Sequence, residues 1–253
     1  MTITDRHELI LKILQENGRV SIQELSDLIK VSGVTIRKDL KLLEDKKLLF
    51  RTRGGGSLTN PYTIERPINE KELINAEEKK RIAKAAIKLI GQNDSIMIGS
   101  GTTVFEIARF LNPAQHLTVI TPAAKVTLEL SGRRNVEVFQ LGGIVRPNSS
   151  SVAGAHAERL LEDISCGVLF LGVDGIDLDF GFSITNIAEA TLNQKMIETA
   201  QVVAILADST KFGKRGLGRI CDFEQVHYVV TDNKVPTNAV KALEERGIQV
   251  IIA

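Results

Sequence analysis

The sequence predicts an α/β protein in two parts: a small amino-terminal head of short helices closed by a β-wing, then a larger domain built on a mostly parallel sheet. Three observations lead there. Residues 20–39 read VSIQELSDLIKVSGVTIRKD, two short amphipathic segments on either side of a small-residue turn. From Asp94 onward, near-continuous apolar strands alternate with helical stretches, the pattern of a parallel sheet covered on both faces. Between these parts, residues 58–68 contain Pro61 and Pro67 and lack periodicity, which marks a linker. The expected division is 1–57, 58–68 and 69–253.

The head begins with a helix over residues 6–17, with Leu9, Ile10, Ile13 and Leu14 on its apolar face and Asn17-Gly18 as its stop. Ser21 followed by Glu24 is a capping-box pattern, so a second helix starts there, with Ile22, Leu25, Leu28 and Ile29 as its stripe. Val31-Ser32-Gly33 breaks it; Ser32 caps a third helix, Thr35 lies in its first turn, and Val34, Leu40 and Leu43 resume an apolar face. Its outward face carries Thr35, Arg37, Lys38 and Lys41, donors suited to phosphates and base edges. An αα-hairpin with merely solvated charges remains the plainer alternative. Residues 48–53 then alternate as a strand and Gly54-Gly55-Gly56 permits a tight turn, so Arg51 and Arg53 fall on a wing. Over residues 30–53 eight basic side chains face three acidic ones, in a chain whose total charge is only +1. Positive potential concentrated at one end favours a winged helix-turn-helix reading double-stranded operator DNA, with Ser21 and Ser32 among its contacts.

Composition narrows the rest. With 4% aromatics and no Trp, a stacking platform for single strands is not expected. No apolar run approaches the ~20 residues of a membrane helix, and MTITDRHELI has no signal-peptide core, so the expectation is a cytoplasmic protein that avoids membranes. Cys166 and Cys221 stand alone and read as reduced, buried thiols; His7, His116, His156 and His227 are scattered. Neither a metal nor a cofactor is expected.

A charged helix starts at Asn69 or Asn75 and runs to Ile90, with Ile82, Ala86 and Leu89 or Ile90 inward. Strands are expected at 95–98, 117–121, 136–141, 167–172, 202–207, 226–231 and 248–252, and helices at 104–111, 123–131, 153–163, 187–200 and 238–246. Ligands of such folds bind beyond the carboxyl ends of the strands. There the chain places Gly99-Ser100-Gly101-Thr102-Thr103, whose amides, hydroxyls and helix start could cradle a phosphate; a tight turn with a Thr cap is the alternative. Thr121 ends a second strand. Gly142-Gly143 ends a third, as a close-approach site or only a turn. Asp174, Gly175 and Asp177 follow a fourth, and Asp208 with Lys211 a fifth. Together they suggest a pocket for a small anionic polyol.

VSGVTIRKDLKLLE with RTRGGG resembles the amino-terminal domain of the DeoR family of bacterial sugar-metabolism repressors. GSGTT, LGG, GVDGID, Glu189 with Lys195, and LADSTKFG are similar to that family's effector domain, itself related to ribose-5-phosphate isomerases. The resemblance implies that Ser100, Gly101, Thr102, Thr103 and Lys211 hold a phosphate, and that Asp174 and Glu189 face a sugar with Lys195 near by. It implies a repressor whose operator binding responds to a phosphorylated sugar, acting as a homo-oligomer, dimer or tetramer. Three departures stand out: Lys38 where a second Arg is usual, Gly99 where Asp is common, and Pro122 where Asn is common. An isomerase-like enzyme fused to a DNA-binding head is the alternative. Phe180 counts against it, standing where an isomerase carries its acid–base lysine, because a phenyl ring cannot move a proton.

Overall fold

The computed structural model describes residues 1–46, 48–52, 54–58 and 67–253. The expected wing residue Arg53, and most of the expected linker, lie outside the described residues. The chain divides into two compact units, Met1–Ile64 and Glu65–Ala253.

In the first unit, α1 (Ile3–Asn17) starts three residues before its expected position, because Thr2 and Asp5 form a capping box; Gly18, at φ +71°, ends it. After β1 (Arg19–Ser21) come α2 (Ile22–Ile29), opened by the Ser21–Glu24 capping box, and α3 (Gly33–Asp45), capped by Ser32. The wing strands β2 (Phe50–Thr52) and β3 (Gly55–Ser57) complete an antiparallel sheet of order β1-β3-β2. Gly55 and Gly56 are therefore strand residues instead of turn residues. A Cβ on Gly55 would lie 1.7 Å from the Val20 carbonyl oxygen, so glycine there lets β1 and β3 meet.

Ile10, Leu14, Leu25, Ile29, Ile36, Leu40, Leu43 and Leu49 form the core of this unit. Two expected core residues are not in it: Leu28 is 61% and Val34 60% exposed. Each helical step turns about 100°, so Leu28 swings away from the Leu25–Ile29 seam, and Val34 lies about 200° from Ile36. A buried ion pair ties α1 to α3. Arg6 Nε donates to Asp39 Oδ2 at 2.5 Å, Arg6 Nη2 to Oδ1 at 2.9 Å, and His7 Nε2 lies 3.2 Å from Oδ1.

The second unit opens with a helix broken in two. α4 (Ile68–Glu72) and α5 (Ala76–Ala86) are separated at Asn75, whose φ is +53°, and a 3₁₀ turn, Ile87–Ile90, follows. The central sheet holds β4 (Ser95–Ile98), β5 (Leu117–Thr121), β6 (Val136–Gln140), β9 (Cys166–Gly172), β12 (Ala200–Leu206), β14 (Tyr228–Thr231) and β15 (Gln249–Ile252). These are the seven strands expected from the sequence, all parallel, in the order β15-β14-β12-β9-β4-β5-β6. α6 (Thr102–Phe110), α7 (Ala124–Leu130) and α5 pack on one face. α8 (Ala155–Leu160), α9 (Ile187–Thr199) and α10 (Thr237–Glu244) pack on the other. That face also carries three strands pairing as β10 (Gly175–Asp177), β11 (Gly181–Ile184) and β13 (Gly218–Cys221). A hairpin of β7 (Ile144–Arg146) and β8 (Ser151–Ala153) was not expected, and neither was that small sheet. Strand order reverses between β4 and β9, which makes the carboxyl ends of that pair the topological switch point where open α/β sheets bind ligands.

Among the described residues no helix is long and apolar enough to cross a membrane, and no group of three or more His, Cys, Asp or Glu could hold a metal. Both cysteines are free and buried, and burial pushes their thiols up to about 12.

Candidate functional site

On the first unit, the outward side of α3 presents Arg37, Lys38 and Lys41, all exposed, with Thr35 half-buried. Val34 shares this side, so the residue misassigned to the core sits where an apolar side chain can meet a thymine methyl. The two serines are engaged as helix caps: Ser21 Oγ accepts from Glu24 N and Ser32 Oγ from Thr35 N, at 3.1 and 3.2 Å. On the wing, Arg51 pairs with Glu44 at 3.5 Å. Arg37→Ala is expected to cost roughly 1–3 kcal/mol of operator affinity and to relax base discrimination. Arg51→Ala should instead weaken all sequences evenly and reduce the salt slope. Gel-shift titration against operator and scrambled DNA separates the two, and unchanged operator binding by Arg37→Ala would remove α3's outward side from the interface.

On the second unit, the β4–α6 loop and the β9–β10 loop meet at the switch point. Gly99 N donates to the Phe170 carbonyl at 2.9 Å, and a Cβ on Gly172 would lie 3.4 Å from the Ser100 carbonyl oxygen. A Cβ on Gly99 would come within 2.6 Å of Leu171 Cδ2, so a side chain there requires the tip of Leu171 to shift. Gly101, at φ +126°, turns the chain into α6 with no side-chain cap, so the amides of its first turn are open to an anion. Thr102 and Thr103 are buried at that start.

Asp174 is the hub. Its Oδ1 accepts from Lys71 Nζ at 3.0 Å and lies 3.7 Å from Lys211 Nζ; its Oδ2 accepts from Thr185 N at 3.1 Å and from Thr185 Oγ1 at 2.6 Å. Burial acts to raise the Asp174 pKa, but the charges of Lys71 and Lys211 and the bonds from Thr185 outweigh it and hold the carboxyl well below the usual range. Asp208 accepts from Asn75 Nδ2 and Thr210 N, each at 3.0 Å, which fixes the short turn carrying Lys211. Lys79, 5% exposed, donates to the Lys71 carbonyl at 2.5 Å and has no carboxylate at ion-pair distance among the described residues. Burial pushes its ammonium down to about 8; Asp208 opposes the shift, and Lys211 and Lys71 add to it. Glu106, one turn into α6, keeps Oε2 buried and without a hydrogen-bond partner among the described residues.

Lys71, Asn75, Lys79 and Thr185 join this cluster without having been expected at the site. Lys79 had a signal: it precedes Ile82, Ala83 and Ala86 at spacings of three, four and seven, so it shares their inward face. Arg146, on the unexpected hairpin, donates to Glu189 Oε1 at 2.5 Å. Other expected residues take structural positions. Thr121 is fully buried, donating to the Ile98 carbonyl and accepting from Ala123 N. Gly175 lies in β10, where a Cβ would collide with the Lys214 carbonyl oxygen. Gly142 and Gly143 are exposed between β6 and β7, and Lys195 pairs with Glu198 at 3.1 Å along α9. Phe180 packs beneath Arg215, whose guanidinium carbon lies 5.5 Å from the ring centre and which also pairs with Asp177 at 2.7 Å.

A helix-turn-helix head carried in one chain with an α/β domain of this build defines a transcription regulator. The chain belongs to the DeoR family: residues 6–61 match its DeoR-like helix-turn-helix domain and residues 74–233 the DeoR C terminal sensor domain. It is similar to a putative aga operon transcriptional repressor of Escherichia coli O157:H7, 35% identical over 98% of this chain and 93% of that one. It is likewise similar to the uncharacterized HTH-type transcriptional regulator YulB of Bacillus subtilis strain 168, 36% identical over 99% and 96%. Ribose-5-phosphate isomerase A from Methanocaldococcus jannaschii resembles it remotely, with a TM-score of 0.41, 17% identity and 55% of each chain covered. The curated relatives are named as regulators, and the enzyme alternative is set aside.

Proposed function

We propose that this regulator represses carbohydrate-metabolism genes and that a phosphorylated sugar, bound at the carboxyl ends of β4, β9 and β12, modulates its hold on operator DNA. One observation carries the reading. Lys79 is a buried ammonium with no carboxylate at ion-pair distance among the described residues, set beside Lys71 and Lys211 and feeling Asp208 and Glu106 only at longer range. Buried charges are costly unless paired, and a phosphate dianion is the partner such a cluster suits. In this reading the amides and hydroxyls of Ser100, Gly101, Thr102 and Thr103 bind phosphate oxygens with Lys211 and Lys79, while Asp174 and Glu189 accept sugar hydroxyls. Helix-turn-helix regulators read two-fold sites, so the working form is a homo-oligomer, a dimer or a tetramer.

The test is a thermal-shift panel of sugar phosphates beside their unphosphorylated parents. A true effector at 100 times its Kd stabilises the protein by about 2.7 kcal/mol. Equal stabilisation by a parent sugar would refute the phosphate assignment.

Lys79 also sets a pH dependence. Ligand-free, its ammonium titrates at about 8, and a bound anion raises that value, so the complex holds more protons than the free protein. Affinity should therefore fall as pH rises through about 8, while a phosphate monoester, with its second pKa near ~6, stays dianionic. Calorimetric titration of wild type and Lys79→Met across this window checks it. The variant should bind more weakly and lose the alkaline fall; an identical fall in both would exclude Lys79 as its source.

A further inference from the structure

We infer that Lys71 is an effector-contacting residue and that α4 is the element whose position responds to occupancy of the site. The inference rests on the reading above and adds the element that moves with the ligand. α4 is the first described element after residues 59–66.

α4 packs on α6 and is otherwise placed by polar contacts. It has five residues, no side-chain cap, and one buried side chain, Ile68. A helix that short has little stability of its own, and one buried Ile contributes only about 1.5–3 kcal/mol. Among the described residues its polar ties are few. Ile68 N donates to the Asn148 carbonyl at 2.8 Å, and Lys125 Nζ donates to Asn69 Oδ1 at 2.9 Å and Glu72 Oε1 at 2.5 Å. Two further ties run straight into the effector cluster: Lys71 Nζ to Asp174 at 3.0 Å, and the Lys71 carbonyl to Lys79 Nζ at 2.5 Å. α4 is thus attached through one lysine, at side chain and backbone, to the groups that would receive the ligand.

A phosphate drawn in by Lys211 and Lys79 must change both ties. Asp174 holds Lys71 with one carboxylate oxygen while its other accepts twice from Thr185, whereas a dianion offers three acceptor oxygens to an ammonium in reach. Lys71 then exchanges Asp174 for the phosphate, and Lys79, drawn to the same anion, loosens its hold on the Lys71 carbonyl. The ligand thereby distinguishes two positions of α4, and such differential binding is what a coupling free energy requires.

The experiment is amide hydrogen exchange on the full chain with inorganic phosphate as the probe, titrated until protection at residues 99–105 saturates. In wild type, exchange at residues 67–75 should change at least about fivefold, the lower end of ordinary coupling. Lys71→Met should need roughly tenfold more phosphate, as expected for one lost charge-assisted hydrogen bond, and at saturation residues 67–75 should respond less than in wild type, because only the tie from Lys79 to the residue-71 carbonyl is left to change. Lys71→Arg should restore the response. Lys125→Met, which cuts a tie outside the cluster, should speed exchange at 67–75 without phosphate yet keep the phosphate response. An undiminished response in Lys71→Met overturns the inference, as does a silent 67–75 segment in wild type while 99–105 responds, or loss of the response in Lys125→Met. If neither segment responds in wild type, the anion site proposed above fails, and this inference fails with it.

Discussion

Asp39→Ala is expected to destabilise the amino-terminal unit by about 3–5 kcal/mol, the usual cost of removing one partner from a buried ion pair. Asp39 is 2% exposed and receives both arms of Arg6, itself 9% exposed, so its loss strands a guanidinium between α1 and α3. Against a typical total of ~5–15 kcal/mol, that is enough to leave the reading head partly unfolded and to abolish operator binding without touching the recognition face. Replacing both partners with apolar side chains, Arg6→Met with Asp39→Leu, should restore most of the stability, because the penalty lies in the orphaned charge. A urea titration of the full chain, followed by amide exchange at residues 3–45, reads both outcomes. A loss below about 1 kcal/mol in the single variant would mean the pair behaves as a solvated one.

The same pair makes the head acid-sensitive. Burial tends to raise the Asp39 pKa, but hydrogen bonds from Arg6 and His7 more than offset it and hold the carboxyl below 3.8. A carboxylate whose folded pKa is depressed stabilises the fold fully above the unfolded value, and that contribution is lost as pH falls through the lower, folded one. The Asp39 contribution is therefore complete at neutral pH and disappears only below 3.8.

Lys211→Ala is expected to weaken effector binding by about 2–5 kcal/mol, the loss that follows when one member of a desolvated charge pair is removed. The fold should survive, because the Lys211 side chain is a quarter exposed and Asp174 retains Lys71 and Thr185. Calorimetric titration with a sugar phosphate identified by the thermal-shift panel measures the loss directly. Unchanged affinity would place the phosphate elsewhere. If the effector is an inducer, the variant should remain on its operator at sugar-phosphate concentrations that release the wild type.

The central sheet was legible because its strands are buried on both faces and so read as unbroken apolar runs; all seven appear where the pattern put them. Three-residue strands such as β1, β7, β8 and β10 carry no periodicity of their own, and tertiary pairing alone defines them. Leu28 and Val34 show the limit of reading stripes by spacing, since the seam that α2 and α3 bury is narrower than the run of apolar residues. The caps at Ser21 and Ser32 were readable because capping chemistry is local.

At the candidate site, the loops after β4, β9 and β12 could be located from their composition, but the lysines converging on them could not all be seen. Lys71 and Lys79 stand in a charge-rich helical segment that looks solvated until Asn75 breaks it and folds both halves against the strand ends. Thr121 shows the converse. A hydroxyl at a strand tip reads as a ligand donor, yet here it bonds the Ile98 carbonyl and caps the next turn.

The most direct test of a regulator that joins DNA reading to sugar-phosphate sensing is operator affinity of the full chain, titrated in parallel with a sugar phosphate and its unphosphorylated parent. The expected result is that only the phosphorylated form shifts operator affinity, by about 5–150-fold, and that Lys211→Ala flattens the shift while binding operator normally without ligand. A shift produced equally by the parent sugar, or one of full size in Lys211→Ala, would contradict the account.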